Sequence, residues 1–229
     1  MHRLLALLAV LVLALVACGD GSGSTTTAAA TAATDAPVST DAPAETTTTS
    51  PTMGPAGAVS MSADSGTAAR FRIKEVLRGD DTTVVASNTA VSVDVVVDFD
   101  DPDASEIGVV TIAADQFRTD ESRRDDTINR FILDTGDFPE ITFTPTEVVG
   151  LADALDGGVA TVTGDLTIRD ITNPVTFEMT IEEATAEGVT AEATAEVDRT
   201  DWDLNIPSVP FVASVDEMVG LELKLVLAP

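Results

Sequence analysis

The stretch Val91-Ser-Val-Asp-Val-Val-Val-Asp-Phe99 decides the fold. Val91, Val93, Val95, Val97 and Phe99 share one phase of a two-residue period, whereas Asp94 and Asp98 occupy the other, as in a strand with one face on a core and the other in water. The alternation recurs in both directions. Phe71 and Ile73 carry it upstream. Ile107 and Val109, Ile141 and Phe143, then Val175, Phe177, Met179 and Ile181 carry it downstream, and Val219, Leu221, Leu223, Leu225 and Leu227 complete it. Turn signals separate the segments at Gly79-Asp80-Asp81, Asp101-Pro102-Asp103, Asp156-Gly157-Gly158 and Glu187-Gly188. The result is an all-β chain of about eight strands at hairpin spacing. An antiparallel meander of that size removes its exposed edges by closing into a barrel.

One segment breaks the period. Ser122-Arg-Arg-Asp125 has the form of a capping box with Asp in the Glu role, and Ile128, Phe131 and Ile132 follow at helical spacing before Gly136. This predicts a helix over 122–134 whose apolar stripe closes the side or one end of the barrel. Phe138-Pro139 then starts the next strand.

Composition bounds the chemistry. Lys and Arg number 12 against 39 Asp and Glu, a net charge of −27. Nucleic acid is excluded as a natural partner, because neutralising phosphates needs a basic face. The one His is His2 and the one Cys is Cys18, both in or beside the N-terminal apolar run, so the barrel region has no imidazole or thiol. Ser-His, Cys-His and His/Cys zinc chemistry are thereby removed, and no disulfide can form within the chain. No cofactor is implied, and the chain reads as a non-enzyme. The abundant carboxylates fall mostly on the outward phase or in turns, where nothing raises an acid catalyst's pKa. Asp98-Phe-Asp-Asp-Pro-Asp103 lacks the Gly at loop position 6 and the Glu at position 12 of an EF-hand, leaving at most a non-specific cation contact.

At the N-terminus Arg3 precedes an apolar run from Leu4 to Val16 that ends in Leu15-Val16-Ala17-Cys18. The run is too short for a comfortable membrane span, and small residues precede a lone cysteine, so 1–17 reads as a lipoprotein signal peptide. Acyl chains on Cys18 would each contribute about 0.8 kcal/mol per buried methylene, and several chains make a stable anchor. The expected location is extracytoplasmic, anchored to the cell membrane. Residues 18–58 are rich in Thr, Ala, Pro, Ser and Gly and nearly free of large apolar side chains, so they cannot bury enough surface to offset their ordering entropy. They read as a tether with a mean span of roughly 35 Å, either bare or carrying O-linked sugar. The barrel domain occupies 59–229.

Three phrases within the barrel domain carry a family resemblance. They are Phe138-Pro-Glu-Ile-Thr-Phe143, Gly164-Asp-Leu-Thr-Ile-Arg-Asp-Ile-Thr-Asn-Pro-Val-Thr-Phe177 and Val197-Asp-Arg-Thr-Asp-Trp-Asp-Leu204. In this order and spacing they resemble the YceI-like family of lipocalin-like barrels. The resemblance implies binding of a polyisoprenoid, quinone-like or fatty amphiphile for storage, transport or scavenging. In that family the helix commonly carries an Arg-Asp pair followed two residues on by His; this chain has Arg124-Asp125 and then Thr127. The last phrase usually runs Arg, Asp, aromatic, Gly; here Trp202 takes the aromatic place, in the core or a lid, and Asp203 the Gly place.

From the inward phase the ligand-binding candidates are Phe71, Val93, Val95, Phe99, Phe143, Phe177, Met179 and Ala193. Arg124, Arg169 and Arg199 are head-group candidates, either gripping a pyrophosphate or carboxylate bidentately or pinning turns as ion pairs. Val189, Ala191, Ala193, Ala195 and Val197 share one phase, as do Ala160, Val162 and Gly164. An eight-stranded barrel is just wide enough to be filled by large side chains, so small ones facing inward either leave room for a ligand or seat the helix opposite Phe131. The alternative function is a solid-packed envelope interaction module with an acidic outer face. The sequence leaves open whether two barrels pair as a homodimer.

Overall fold

The computed structural model describes residues 57–208, 210 and 212–229. The signal run, Cys18 and nearly all of the tether lie outside the described residues. No helix among the described residues is long and apolar enough to cross a membrane.

Twelve strands form one antiparallel sheet. They are β1 (Ala58–Ala63), β2 (Ala68–Leu77), β3 (Asp80–Asn88), β4 (Val91–Ser92), β5 (Asp94–Asp98), β6 (Glu106–Ile107) and β7 (Val110–Ala113). After the helical segment come β8 (Glu140–Val149), β9 (Ala160–Ile168), β10 (Ile171–Thr185), β11 (Gly188–Asp198) and β12 (Val212–Ala228). The count exceeds eight because three long runs are interrupted: β1 leads into β2, β3 through β4 into β5, and β6 into β7. Each run pairs with its neighbour in sequence, as in Phe71↔Ala86, Val91↔Ile112, Val110↔Phe143 and Ala193↔Leu223. The last run returns to the first, β12 pairing with β2 (Leu223↔Ala69) and then with β1 (Leu227↔Ala63). Eight runs thus form the closed meander expected from the alternation.

The interruptions explain where simple alternation misplaces residues. At Gly108 an added Cβ would lie 2.6 Å from the Asp94 carbonyl oxygen, and the Gly108 N–H donates to that same oxygen. This close approach resets the phase: Val110 is buried, and Val109, read as inward, is 48% exposed. Asp98, read as outward, is buried. Its carboxylate turns back to accept the N–H groups of Asp100 and Asp101, satisfying the oxygen that burial would otherwise leave unpaired.

The helical segment also differs from expectation. Its N-cap is Glu121 rather than Ser122, the Glu121 carboxylate accepting the Arg123 N–H, while Asp125 instead accepts from the Thr119 N–H and hydroxyl. Helix α1 (Ser122–Thr127) continues as a π-helical turn over Ile128–Ile132. The wider turn places Ile128 and Leu133 inward and leaves Phe131 68% exposed, so Phe131 needs no small residue opposite it. A second helix, α2 (Leu151–Leu155), has no counterpart in the sequence reading; Leu151 and Ala154 are its buried residues.

Candidate functional site

The interior changes along β12. Val215, Val219, Leu221 and Leu223 line a cavity of about 560 Å³, Leu227 lines a separate void of about 50 Å³, and Leu225 touches both. The barrel therefore has a hollow end and a filled end. At the filled end Leu151 and Leu155 of α2 reach Val95, Val97, Val189 and Ala191 around the small void. At the hollow end Leu223 is flanked on its two neighbouring strands by Ala193 and Ala69, so the wall there is thin and the space stays open. On β12 the apolar side chains that face that space, Val215, Val219, Leu221 and Leu223, are half-buried.

Aromatic rings shape the cavity. Phe143 and Phe177 meet edge to face with centroids 5.0 Å apart, and Phe71 and Phe117 are tilted at 5.3 Å. Gly164 makes room for the first pair, since a Cβ there would lie 2.4 Å from the Thr144 carbonyl oxygen and 2.6 Å from the Phe143 ring. The space that Gly164 leaves is thus occupied by Phe143. Trp202, 2% exposed, also borders the cavity and is fixed by a 3.1 Å hydrogen bond from its indole N–H to the Leu166 carbonyl. It sits in a 3₁₀ turn, Arg199–Trp202, capped by the Asp198 carboxylate. The Thr200 hydroxyl and then the Thr200 N–H donate to that carboxylate and hold its pKa below the ordinary 3.8. Asp203 closes the turn in the left-handed region at φ 51°, the conformation that Gly adopts without strain.

The mouth is covered by α1 with its π-helical turn and by the segment between β11 and β12. Ile128, Ile132 and Leu133 contribute from the first; Leu204, Ile206 and Pro210 contribute from the second. Arg199, at the start of this second cover, donates to the carbonyls of Leu204 (2.7 Å) within it and of Asp216 (3.1 Å) on β12. Arg124 pairs with Glu75 at 3.4 Å and with Asp120.

Of the residues singled out from sequence, Phe71, Phe143, Phe177, Met179 and Ala193 line the large cavity, as do Arg124 and Arg199. The others do not. Val93 is buried in the core, Val95 faces the small void, and Phe99 packs on the core's edge, because that strand runs into the filled end. Arg169 sits at φ 59° in the turn between β9 and β10, its guanidinium over the Phe138 ring at 5.5 Å, and does not line the cavity. Ala191 and Ala160 are buried outside the large cavity, and Ala195 is half-buried. Sequence reasoning missed Phe117 and the covering segment. Phe117 lies in Gln116-Phe117-Arg118 without periodic neighbours; Leu204 and Ile206 carried a signal, as apolar residues spaced by two beside Pro207. Among the described residues no group of three or more Asp, Glu, His or Cys side chains could hold a metal ion.

A closed antiparallel barrel around an apolar cavity, with covering segments at one end, is a lipocalin-like architecture. The chain belongs to the YceI-like domain family, whose sequence model matches residues 60–227. No curated protein matches it in sequence. Among solved structures it is similar to a polyisoprenoid-binding domain from Saccharophagus degradans implicated in plant cell wall breakdown, with TM-score 0.58 and 14% identity over 74% of this chain and 98% of that one. It is also similar to BcnA of Burkholderia cenocepacia (TM-score 0.56, 17% identity, 71% of this chain and 96% of that one). The YceI protein of Campylobacter jejuni aligns with TM-score 0.52 and 16% identity, over 63% of this chain and 84% of that one. At these identities the likeness is one of fold.

Proposed function

We propose that the protein binds one long-chain amphiphile, a polyisoprenoid, quinone-like or fatty lipid, in the barrel cavity and stores, transports or scavenges it without covalent chemistry. The observation that carries this reading is the cavity of about 560 Å³ walled by Phe71, Phe143, Phe177, Met179 and Leu223. Its size falls in the range of roughly 300–1,000 Å³ typical of small-molecule sites, and its wall is apolar with a few polar groups at the mouth. Residues 57–208 contain no His or Cys, which fits binding rather than nucleophilic or imidazole catalysis. The polyisoprenoid-binding domain of Saccharophagus degradans gives the amphiphile a precedent on a similar fold. The same proposal places the domain outside the cytoplasm, tethered by residues 18–58 to an acylated Cys18.

Extraction of the purified protein with organic solvent, followed by mass spectrometry, tests the ligand. A prenyl or acyl lipid at near one equivalent is expected. Protein free of lipid that also takes up no lipid probe would instead favour an interaction module. Cys18→Ala should move the protein from the membrane fraction to the soluble one, and unchanged partitioning would count against the anchor.

A further inference from the structure

The barrel closes between its second and third runs through β4 with β7, β5 with β6, and an isolated bridge, Ser87↔Arg118. Ahead of that bridge β3 has β2 on one side and no strand on the other among the described residues. The Ser87 N–H donates to the Arg118 carbonyl and the Ser87 carbonyl accepts the Arg118 N–H, both at 2.9 Å, so both groups point away from β2. Hydrogen-bonding direction alternates along a strand, and the backbone groups of Asp81, Thr83 and Val85 therefore point the same way. On that side they have no hydrogen-bond partner among the described residues. The edge is free, and the Val85 side chain beside it is 42% exposed.

The charge next to this edge is opposite to that of the chain. On the outer face of β2, Lys74 stands across from Thr83, Arg72 across from Val85, and Arg70 across from Ser87. This one row holds three of the 12 bases in a chain with 39 acids. Among the described residues Glu222 is the one carboxylate paired with it, shared by Arg70 and Arg72. Lys74 is exposed and has no hydrogen bond or ion pair among the described residues.

We propose that the free edge of β3 is a docking surface for an extended, acidic segment of a partner protein, which adds to the sheet as one more strand. Main-chain hydrogen bonds to Asp81, Thr83 and Val85 hold the segment, and its alternate side chains give specificity. Neighbouring strands lie about 4.8 Å apart, so the added strand runs about 10 Å from β2, within the combined reach of a glutamate and of Arg72 or Lys74. Its other side chains stand beside Val84 and Ala86, both buried, and are therefore apolar. A net charge of −27 repels such a segment elsewhere on the chain, and the basic row directs it to this edge. A second copy fits less well. Pairing β3 with β3 about Thr83 brings Asp81 as its one outward acid, together with a second basic row and a second charge of −27. The surface does not depend on what the cavity holds.

The test titrates the full-length chain into two fluorescein-labelled decapeptides, one alternating Glu with Val and one alternating Lys with Val, and follows anisotropy. The Glu peptide should bind about 10-fold more tightly or better, because the Lys peptide turns several weak attractions into repulsions. Arg72→Glu with Lys74→Glu should remove that preference. Val85→Pro deletes an N–H that faces the free edge, which a strand edge tolerates, and should weaken the Glu peptide by about 10-fold or more. Alternate N-methylation of the Glu peptide tests the same bonds without touching the protein: one methylation phase should lose binding and the other keep it. Equal affinity for the Glu and Lys peptides, a preference unmoved by the double substitution, or equal binding by both methylation phases overturns the proposal. Failure of either peptide to bind at about 1 mM overturns it too. Self-association of the unsubstituted chain that Val85→Pro abolishes would assign the edge to a second copy instead.

Discussion

Leu227 and Leu223 stand four residues apart on the same face of β12, and their surroundings differ completely. Leu227 pairs with Val189 and Ala63 and meets Leu151 and Leu155 of α2, which reduce the interior there to a void of about 50 Å³. Leu223, between Ala193 and Ala69, faces a cavity of about 560 Å³ covered by segments that stand away from the floor. Both ends obey the same alternation of apolar and polar residues. What separates them is the element laid across the end: a short helix inserts leucines at one, whereas a π-helical turn and a loop fastened by Arg199 roof the other. Filled space at one end then supplies stability, and empty space at the other supplies a place for a ligand.

Substitutions at the two ends should separate these roles. Met61, 1% exposed and in the core cluster, should cost about 2–5 kcal/mol on replacement by Ala, through lost transfer energy and a new cavity. Leu223→Ala, which enlarges a space already present, should cost about half as much or less; equal losses in urea melts of the two variants would erase the distinction between the ends. Gly164→Ala should cost about 1–3 kcal/mol, since the new Cβ forces Phe143 and the β8 backbone to shift. That shift should also disturb the Phe143–Phe177 pair, which near-ultraviolet circular dichroism would register. Asp203→Gly should change stability by no more than about 1 kcal/mol, with relief of the left-handed strain offset by unfolded-chain entropy. A large loss would show that the Asp203 side chain has a role beyond the turn.

The smallest expected effect concerns pH. Because the folded-state pKa of Asp198 lies below its unfolded value of 3.8, its contribution is present above that value and is lost as pH falls through the lower folded-state value. Asp198→Asn should therefore narrow the difference in Tm between pH 5 and pH 2.5 relative to the unsubstituted chain. A wider difference would reverse the sign of the argument.

Much of the fold was legible because a two-residue period survives in the strands of a closed sheet. Val97, Phe177 and Leu225 all lie inside, as that period requires. Its failures are local and physical. Gly108 resets the phase by close backbone contact, Asp98 is drawn inward by two N–H donors, and the π-helical turn rotates Phe131 out to solvent. Helix α2, at Leu151–Leu155, is too short for a helical period to emerge from sequence, although Gly150 and Gly157-Gly158 bracket it. The cavity was less legible than the fold, because alternation reports which face a residue takes and not how far along the barrel it stands. Val93, Val95 and Phe99 share that period with Phe143 and Phe177, yet none of the three lines the large cavity, and Val95 faces the small void instead. Arg124 and Arg199 reach the rim through Glu75 and the carbonyls of Leu204 and Asp216, contacts that no spacing encodes.

Ala191 and Ala193 test the division of the barrel most directly, because they share one strand and one face while Ala191 faces the small void and Ala193 the large cavity. Affinity for a fluorescent polyprenyl or fatty-acid probe, measured beside the urea midpoint, should separate their Phe variants. Ala193→Phe should fold with a small loss, about 1 kcal/mol, and bind the probe at least about 10-fold more weakly, since ring and chain compete for one volume. Ala191→Phe, forced into about 50 Å³, should lose about 3 kcal/mol or more while the surviving folded protein binds as before. Unchanged probe binding by Ala193→Phe would contradict the account.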